Sequence, residues 1–271
     1  MTESTDTIRQ TQLLAALFSP AFPIGAFSYS HGIEAAIASG DVDDATTAHD
    51  WIETILIGGS GRNDAILMAN AYNAVKLHAA KDGQLAGGRN AEIEAINELA
   101  FALSSGAERA QESRELGVNF TRMTEQVYQL DIGLSPPLAY PVAAGLAAWH
   151  LGCELQLSLS LFLQSFISNL ISVVVRAVPL GQSDGQIILA RLMPAVAALA
   201  DEASTTPLDD VGGYATLAGH ASILHETLEI RIYRTGLVKS KNPLARRQSW
   251  PAAMARCVSV LADRLGRVKQ V

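Results

Sequence analysis

Apolar residues recur three and four positions apart along most of this chain, the period of a helix with one buried face. Leu13, Leu14, Leu17 and Phe18 close a first amphipathic segment, and Ser19-Pro20 and Phe22-Pro23 interrupt it, because a residue preceding proline avoids the helical region. The spacing predicts a second helix over residues 28–39, with Ile33 and Ile37 on one face and Gly40 as its stop. Asp43 and Asp44 suit the start of a third helix carrying Trp51, Ile52, Ile55 and Leu56, ended by Gly58-Gly59-Ser60-Gly61. Asn63 is placed as the cap of a segment running through Ile66, Leu67, Ala71 and Val75.

A glycine-rich loop follows at 81–90, and Ile93, Ile96 and Leu99 mark a further helix. Another is expected over 108–130, with Glu108, Arg109, Glu112, Arg114 and Glu115 on its exposed face. Ser135-Pro136-Pro137 closes it. Segments 142–152 and 154–178 are the most apolar. The run Leu155-Gln156-Leu157-Ser158-Leu159-Ser160-Leu161 alternates with period two, a strand signal. The apolar stretch nevertheless continues for more than twenty residues, too long for an ordinary strand, so it is assigned to a helix. Ser183 to Gln186 matches a capping box opening the next helix, in which Pro194 is a kink candidate. Thr205-Thr206-Pro207 is a turn, and a last core helix spans about 214–233. With no convincing strand, the fold class is all-α, a multi-helix bundle.

Composition narrows the function classes. Residues 155–175 lack a formal charge, yet eight Ser, Gln and Asn side chains make a lipid-facing helix poor; a core helix and no membrane partner are expected. The net charge of −7 and 6% aromatics argue against phosphate-backbone binding and base stacking, hence against nucleic acid. Charge is uneven: from Gly236 onward there are eight Lys or Arg and one acid, a net +7, against −14 for residues 1–235. Two cysteines, Cys153 and Cys257, form no disulfide framework, and the polar N-terminus does not read as a signal peptide, so a cytoplasmic location is expected.

Candidate chemistry is sparse. The glycine cluster at 58–61 lacks the lysine and hydroxyl of a phosphate loop, and no H-E-x-x-H, C-x-x-C or G-x-S-x-G occurs. His31 and Glu34 lie three apart, a spacing that a carboxylate-bridged metal site on a helix can use; without a second such pair, a hydrogen-bonded histidine is preferred. His150 and Cys153 read as a satisfied histidine beside a core thiol, and the adjacent His225 and Glu226 make a poor chelate. Glu226, Glu229, Arg231 and Arg234 form a charged series open to two readings, a solvated helix face or a docking element anchored by Tyr233.

Four segments in order resemble one family. Ser19-Pro-Ala-Phe-Pro-Ile-Gly-Ala-Phe-Ser-Tyr-Ser-His-Gly-Ile-Glu34 resembles the N-terminal signature of the urease accessory protein UreF family. Tyr140-Pro-Val-Ala-Ala-Gly145, Arg176 to Gln186 (RAVPLGQSDGQ) and His225 to Thr235 (HETLEIRIYRT) resemble its central, GQ-x-x-GQ and terminal segments. The resemblance covers about residues 10–235 and implies a UreF-like helical domain over 1–235; many members stop near this point, whereas this chain continues as a basic extension, helical in part, over 236–271. It implies a non-enzymatic cytoplasmic scaffold without a cofactor, dimeric, that bridges a UreD-type (UreH-type) protein and the GTPase UreG. Such a scaffold serves nickel insertion into apo-urease, modulates GTP hydrolysis by UreG and contributes a nickel passage. Partner contacts are then expected at Phe22, Pro23, Gly25 and Tyr29, and at Arg231, Tyr233 and Arg234. The competing readings are a helical metalloenzyme built on His31 and Glu34, and a metallochaperone holding nickel directly.

Overall fold

The computed structural model describes residues 3–82, 88–130, 132, 134 and 137–228. Among these residues there is no strand. The helices are α1 (Glu3–Leu17), α2 (Ile33–Ser39), α3 (Ala45–Gly58), α4 (Ser60–Asp82), α5 (Gly88–Ala102), α6 (Ala107–Tyr128), α7 (Tyr140–His150), α8 (Leu155–Ala177), α9 (Gln182–Thr205) and α10 (Thr216–His225), with 3-10 turns at Ala26–Ser28 and Leu208–Asp210. The all-α bundle expected from the periodicity is what forms, and the period-two run at 155–161 lies inside α8.

Packing is densest where α7 meets α4 and α6, and where α8 meets α9. The buried residues of α7 are mostly small, with Ala143, Ala144, Gly145, Ala147 and Ala148 among them, so α4 can come close. A Cβ at Gly145 would sit 2.3 Å from the Met68 carbonyl oxygen and 3.3 Å from the Tyr72 nitrogen. The glycine is therefore what lets the two backbones touch. Helix α8 is long and apolar enough to cross a membrane, but half of its most apolar window is buried inside the bundle, where Leu159, Phe162, Leu163, Ile167 and Leu170 join the core.

Several boundaries differ from the sequence expectation, each for a local reason. Asp44 caps α3 as expected, its carboxylate accepting from the Thr46 and Thr47 amides at 2.8 Å each. Helix α4 begins at Ser60, so Asn63 is no cap; its Oδ1 instead accepts from the Gly212 amide at 3.0 Å. Helix α9 begins at Gln182, one residue before the expected Ser183 cap: Gly181 precedes it and donates its amide to Asp184 Oδ2 at 2.8 Å. Arg62 ties the start of α4 to the α9–α10 connection through Glu202 and the Asp210 and Gly212 carbonyls. The Gly58 carbonyl accepts from the Tyr214 and Ala215 amides. These bonds carry the chain across α3 and α4 and lay α10 against α2, α3 and α6.

Candidate functional site

Helix α10 ends in a buried cluster of charge. Both nitrogens of His225 lie 2.9 Å from a carboxylate oxygen, Nδ1 from Glu108 Oε2 and Nε2 from Glu34 Oε2, and the ring is 1% exposed. Each ring nitrogen is thus within hydrogen-bond distance of a carboxylate from a different helix. One residue on, Glu226 Oε1 accepts from the Glu108 amide at 3.2 Å, near the start of α6, where the helix dipole favours a negative charge. So α10 is latched to α2 and α6 at its last turn.

A second cluster lies in contact with the first cluster's elements. Glu112 on α6 lies 2.9 Å from His31 Nε2 and pairs with Arg109 at 2.6 Å, and Asp64 on α4 is 3.6 Å from Arg109. Burial works against the Glu112 charge, but Arg109 and then His31 outweigh it and hold the carboxyl down to about 2. Burial raises Asp64 to about 6, against the opposing pull of Arg109. His31 is lowered by burial and by Arg109, against Glu112, and its Nδ1 has no protein hydrogen-bond partner. Its ring also stands edge-on to Phe166 at 4.9 Å. His31, Asp64, Arg109 and Ser113 form a wall shared by two cavities, one of about 280 Å3 toward α3 and α10 and one of about 50 Å3 toward Tyr140 and Phe162.

Two sequence expectations are corrected here. Glu108, Arg109 and Glu112 are not on an exposed face: they are 4%, 8% and 1% exposed. Charge implies exposure only where no partner is available, and partners arrive from α2, α4 and α10. Nor do His31 and Glu34 form a pair. Helix α2 starts at Ile33, and His31 precedes it in the left-handed region at φ 52°, followed by Gly32 at φ 80°. The two side chains therefore turn to different partners, Glu112 and His225. Gly32 has no substitute, because a Cβ there would lie 2.6 Å from the Ser222 nitrogen on α10. The nearest approach to a metal-type cluster among the described residues is His49, Asp50 and Glu53 on α3, with ligand atoms within 4.8 Å of one another.

The candidate contact residues are divided by the fold. Pro23 is exposed and Gly25 adopts φ 88°, opening the 3-10 turn. Phe22 is half-buried, edge-on to Phe120 at 5.6 Å, and Tyr29 is buried with its hydroxyl donating to Glu115 at 2.6 Å. Phe27, by contrast, is 59% exposed, so this turn presents Pro23 and Phe27 outward. Arg231, Tyr233, Arg234 and the 236–271 segment lie outside the described residues. Cys153 is a core thiol as expected, 1% exposed and raised to about 11 by burial.

The Glu112 cluster sets an acid limit. Held down to about 2 from an ordinary value of 4.5, the carboxyl makes a contribution that is complete above pH 4.5 and is lost as pH falls toward 2, a swing of about 3 kcal/mol. Asp64 runs the other way: raised to about 6 from 3.8, it favours the fold when protonated and loses that contribution as pH rises from 3.8 to 6. Urea unfolding from pH 6 to 2.5 is expected to show stability falling steeply only below about 4.5, and Glu112→Gln should flatten that limb. An unchanged limb in the variant would place the acid sensitivity elsewhere.

Comparison with known proteins decides the assignment. The sequence profile of the UreF family matches residues 42–193, more than half of the chain. The chain belongs to the UreF family. A urease accessory protein UreF from Cereibacter sphaeroides (strain ATCC 17029 / ATH 2.4.9) is 42% identical over 222 residues, covering 82% of this chain and 97% of its own length. The Ruegeria pomeroyi UreF is 40% identical over 232 residues, 86% of this chain and 100% of its own, and that of Methylorubrum populi is 39% identical over 228 residues, 82% and 97%. These relatives are named as accessory proteins, so as a UreF chain this one is a urease accessory protein and not an enzyme.

Proposed function

We propose that this UreF-family chain is a scaffold that bridges a UreD-type protein and the GTPase UreG while nickel is inserted into apo-urease, and that it modulates GTP hydrolysis by UreG. It acts in the cytoplasm and as a homodimer, with nickel as cargo rather than resident cofactor. The observation that carries the reading is the anchoring of His225 and Glu226. They open the segment that resembles the family ending, and their side chains are fixed against Glu34, Glu108 and the Glu108 amide. An anchored start suits docking, since the first residues of the ending need not be ordered on binding. The metalloenzyme alternative is weakened by the separation of His31 from Glu34.

Binding to the UreD-type partner tests the reading. Tyr233→Ala is expected to cost about 2 kcal/mol, roughly 30-fold in Kd, while a chain cut after Thr235 still binds and loses only a salt-sensitive part. Unchanged affinity for Tyr233→Ala would make the ending a solvated helix terminus. Complete loss in the cut chain would move docking to the basic extension. Light scattering checks the dimer: a 28.8 kDa particle alone at about 50 μM would exclude it.

A further inference from the structure

The larger of the two cavities, about 280 Å3, is walled in part by the beginnings of helices. Helices α4 and α10 both start on it, at Ser60 and Thr216. First-turn amides have no intrahelical acceptor, and the helix dipole places about half a positive charge at that end. In α10 the Leu217 and Ala218 amides have no acceptor among the described residues. The Arg109 guanidinium lines the same chamber. Two helix starts and a buried guanidinium suit a small anion.

Two further groups decide which anion. His31 is 8% exposed, and its Nδ1 is left without a protein partner. The other ring nitrogen, Nε2, lies 2.9 Å from Glu112 Oε1. Glu112 is ionised beside Arg109, and an ionised carboxylate only accepts, so Nε2 carries the ring proton. The contact of the same nitrogen with Arg109 is longer, 3.4 Å, and does not compete. Burial keeps the ring neutral. Nδ1 therefore offers a buried lone pair, on a ring that lines the chamber. Asp64 lines it too, held only loosely at 3.6 Å from Arg109, and its carboxylate is a second acceptor. A fully deprotonated anion would set its oxygens against both. An anion that keeps a hydroxyl donates it to one of them, while its other oxygens accept from the amides and Arg109.

We propose that this chamber binds a hydroxyl-bearing oxyanion of the hydrogen phosphate class, held by the starts of α4 and α10 and by Arg109, and selected by His31 and Asp64. The site stands apart from the scaffold reading and does not depend on it. Selection follows from pairing. A buried acceptor set against another acceptor stays unsatisfied, and a site built around a hydroxyl rejects the analogue that lacks one. Sulfate has the shape of phosphate and no hydroxyl at neutral pH, so it is the discriminating control.

Isothermal titration of the full chain with sodium phosphate at neutral pH tests the site. One ion per chain is expected, with sulfate at least about tenfold weaker. Methyl phosphate, mostly ionised at that pH, should group with sulfate, which identifies the free ion as the ligand. Asp64→Asn supplies an amide that can donate, so sulfate should gain and the preference for phosphate should shrink severalfold. A thermal midpoint near that of the parent shows that the variant keeps its fold, and the preference itself is read in the unsubstituted protein. Absence of phosphate binding at about 10 mM overturns the inference. So does equal binding of either hydroxyl-free ion, or a preference that Asp64→Asn leaves intact. A chamber that takes Zn2+ and ignores phosphate also overturns it, and would make His31 Nδ1 and Asp64 metal ligands instead.

Discussion

His225→Ala is expected to destabilise the fold by about 3 to 5 kcal/mol, the usual cost of removing one member of a buried charged set. The ring lies between Glu34 and Glu108, each 2.9 Å away. Its removal brings two carboxylates face to face in a site where water cannot screen them, and leaves a cavity as well. The loss should be largest for α10, whose last turn is held there. Equilibrium urea unfolding gives the total, and amide exchange in α10 shows where it falls. Replacing both acids in the same background, as Glu34→Gln/Glu108→Gln/His225→Ala, should recover part of the stability, because two neutral amides can bond to each other. If the single variant matches the parent, the cluster contributes nothing net and α10 is held by its other contacts.

Gly145→Ala is expected to cost at least as much as the ~3 kcal/mol upper end of ordinary overpacking. The added carbon would meet the Met68 carbonyl oxygen at 2.3 Å, a backbone atom that no rotamer change can move. Either α4 and α7 separate along their length, opening gaps around the small residues of α7, or α7 bends. Both loosen the densest contact in the molecule. Helix propensity pulls the other way, since alanine is favoured over glycine by about 1 kcal/mol, so the sign of the measured change decides which effect rules. A thermal midpoint at or above that of the parent would mean the helices are not in backbone contact.

The bundle was legible in the sequence because its helices are long and their apolar stripes regular. Length decided α8, where local alternation pointed to a strand. The family was legible from four short segments in order. The buried charge was not legible, because its partners are far apart in sequence: His31 meets Arg109 across 78 residues, Glu108 meets His225 across 117, and Glu34 meets His225 across 191. One signal was nonetheless present. Leu116 and Phe120 define the buried stripe of α6, and stepping back by fours from Leu116 reaches Glu112 and then Glu108. The stripe continues inward through two acids, and only the prior that charge lies outside hid it. Similarly, Gly32 beside His31 was a reason to start α2 later than Ser28 and to doubt the His31–Glu34 spacing.

The latch at His225 also sets the timetable of folding. Glu34 is made early and the ring that answers it is 191 residues later. At about 5 to 20 residues per second of synthesis, the acid waits roughly 10 to 40 s for its partner. The contact that ties α10 to α2 and α6 therefore cannot form until residue 225 has been made.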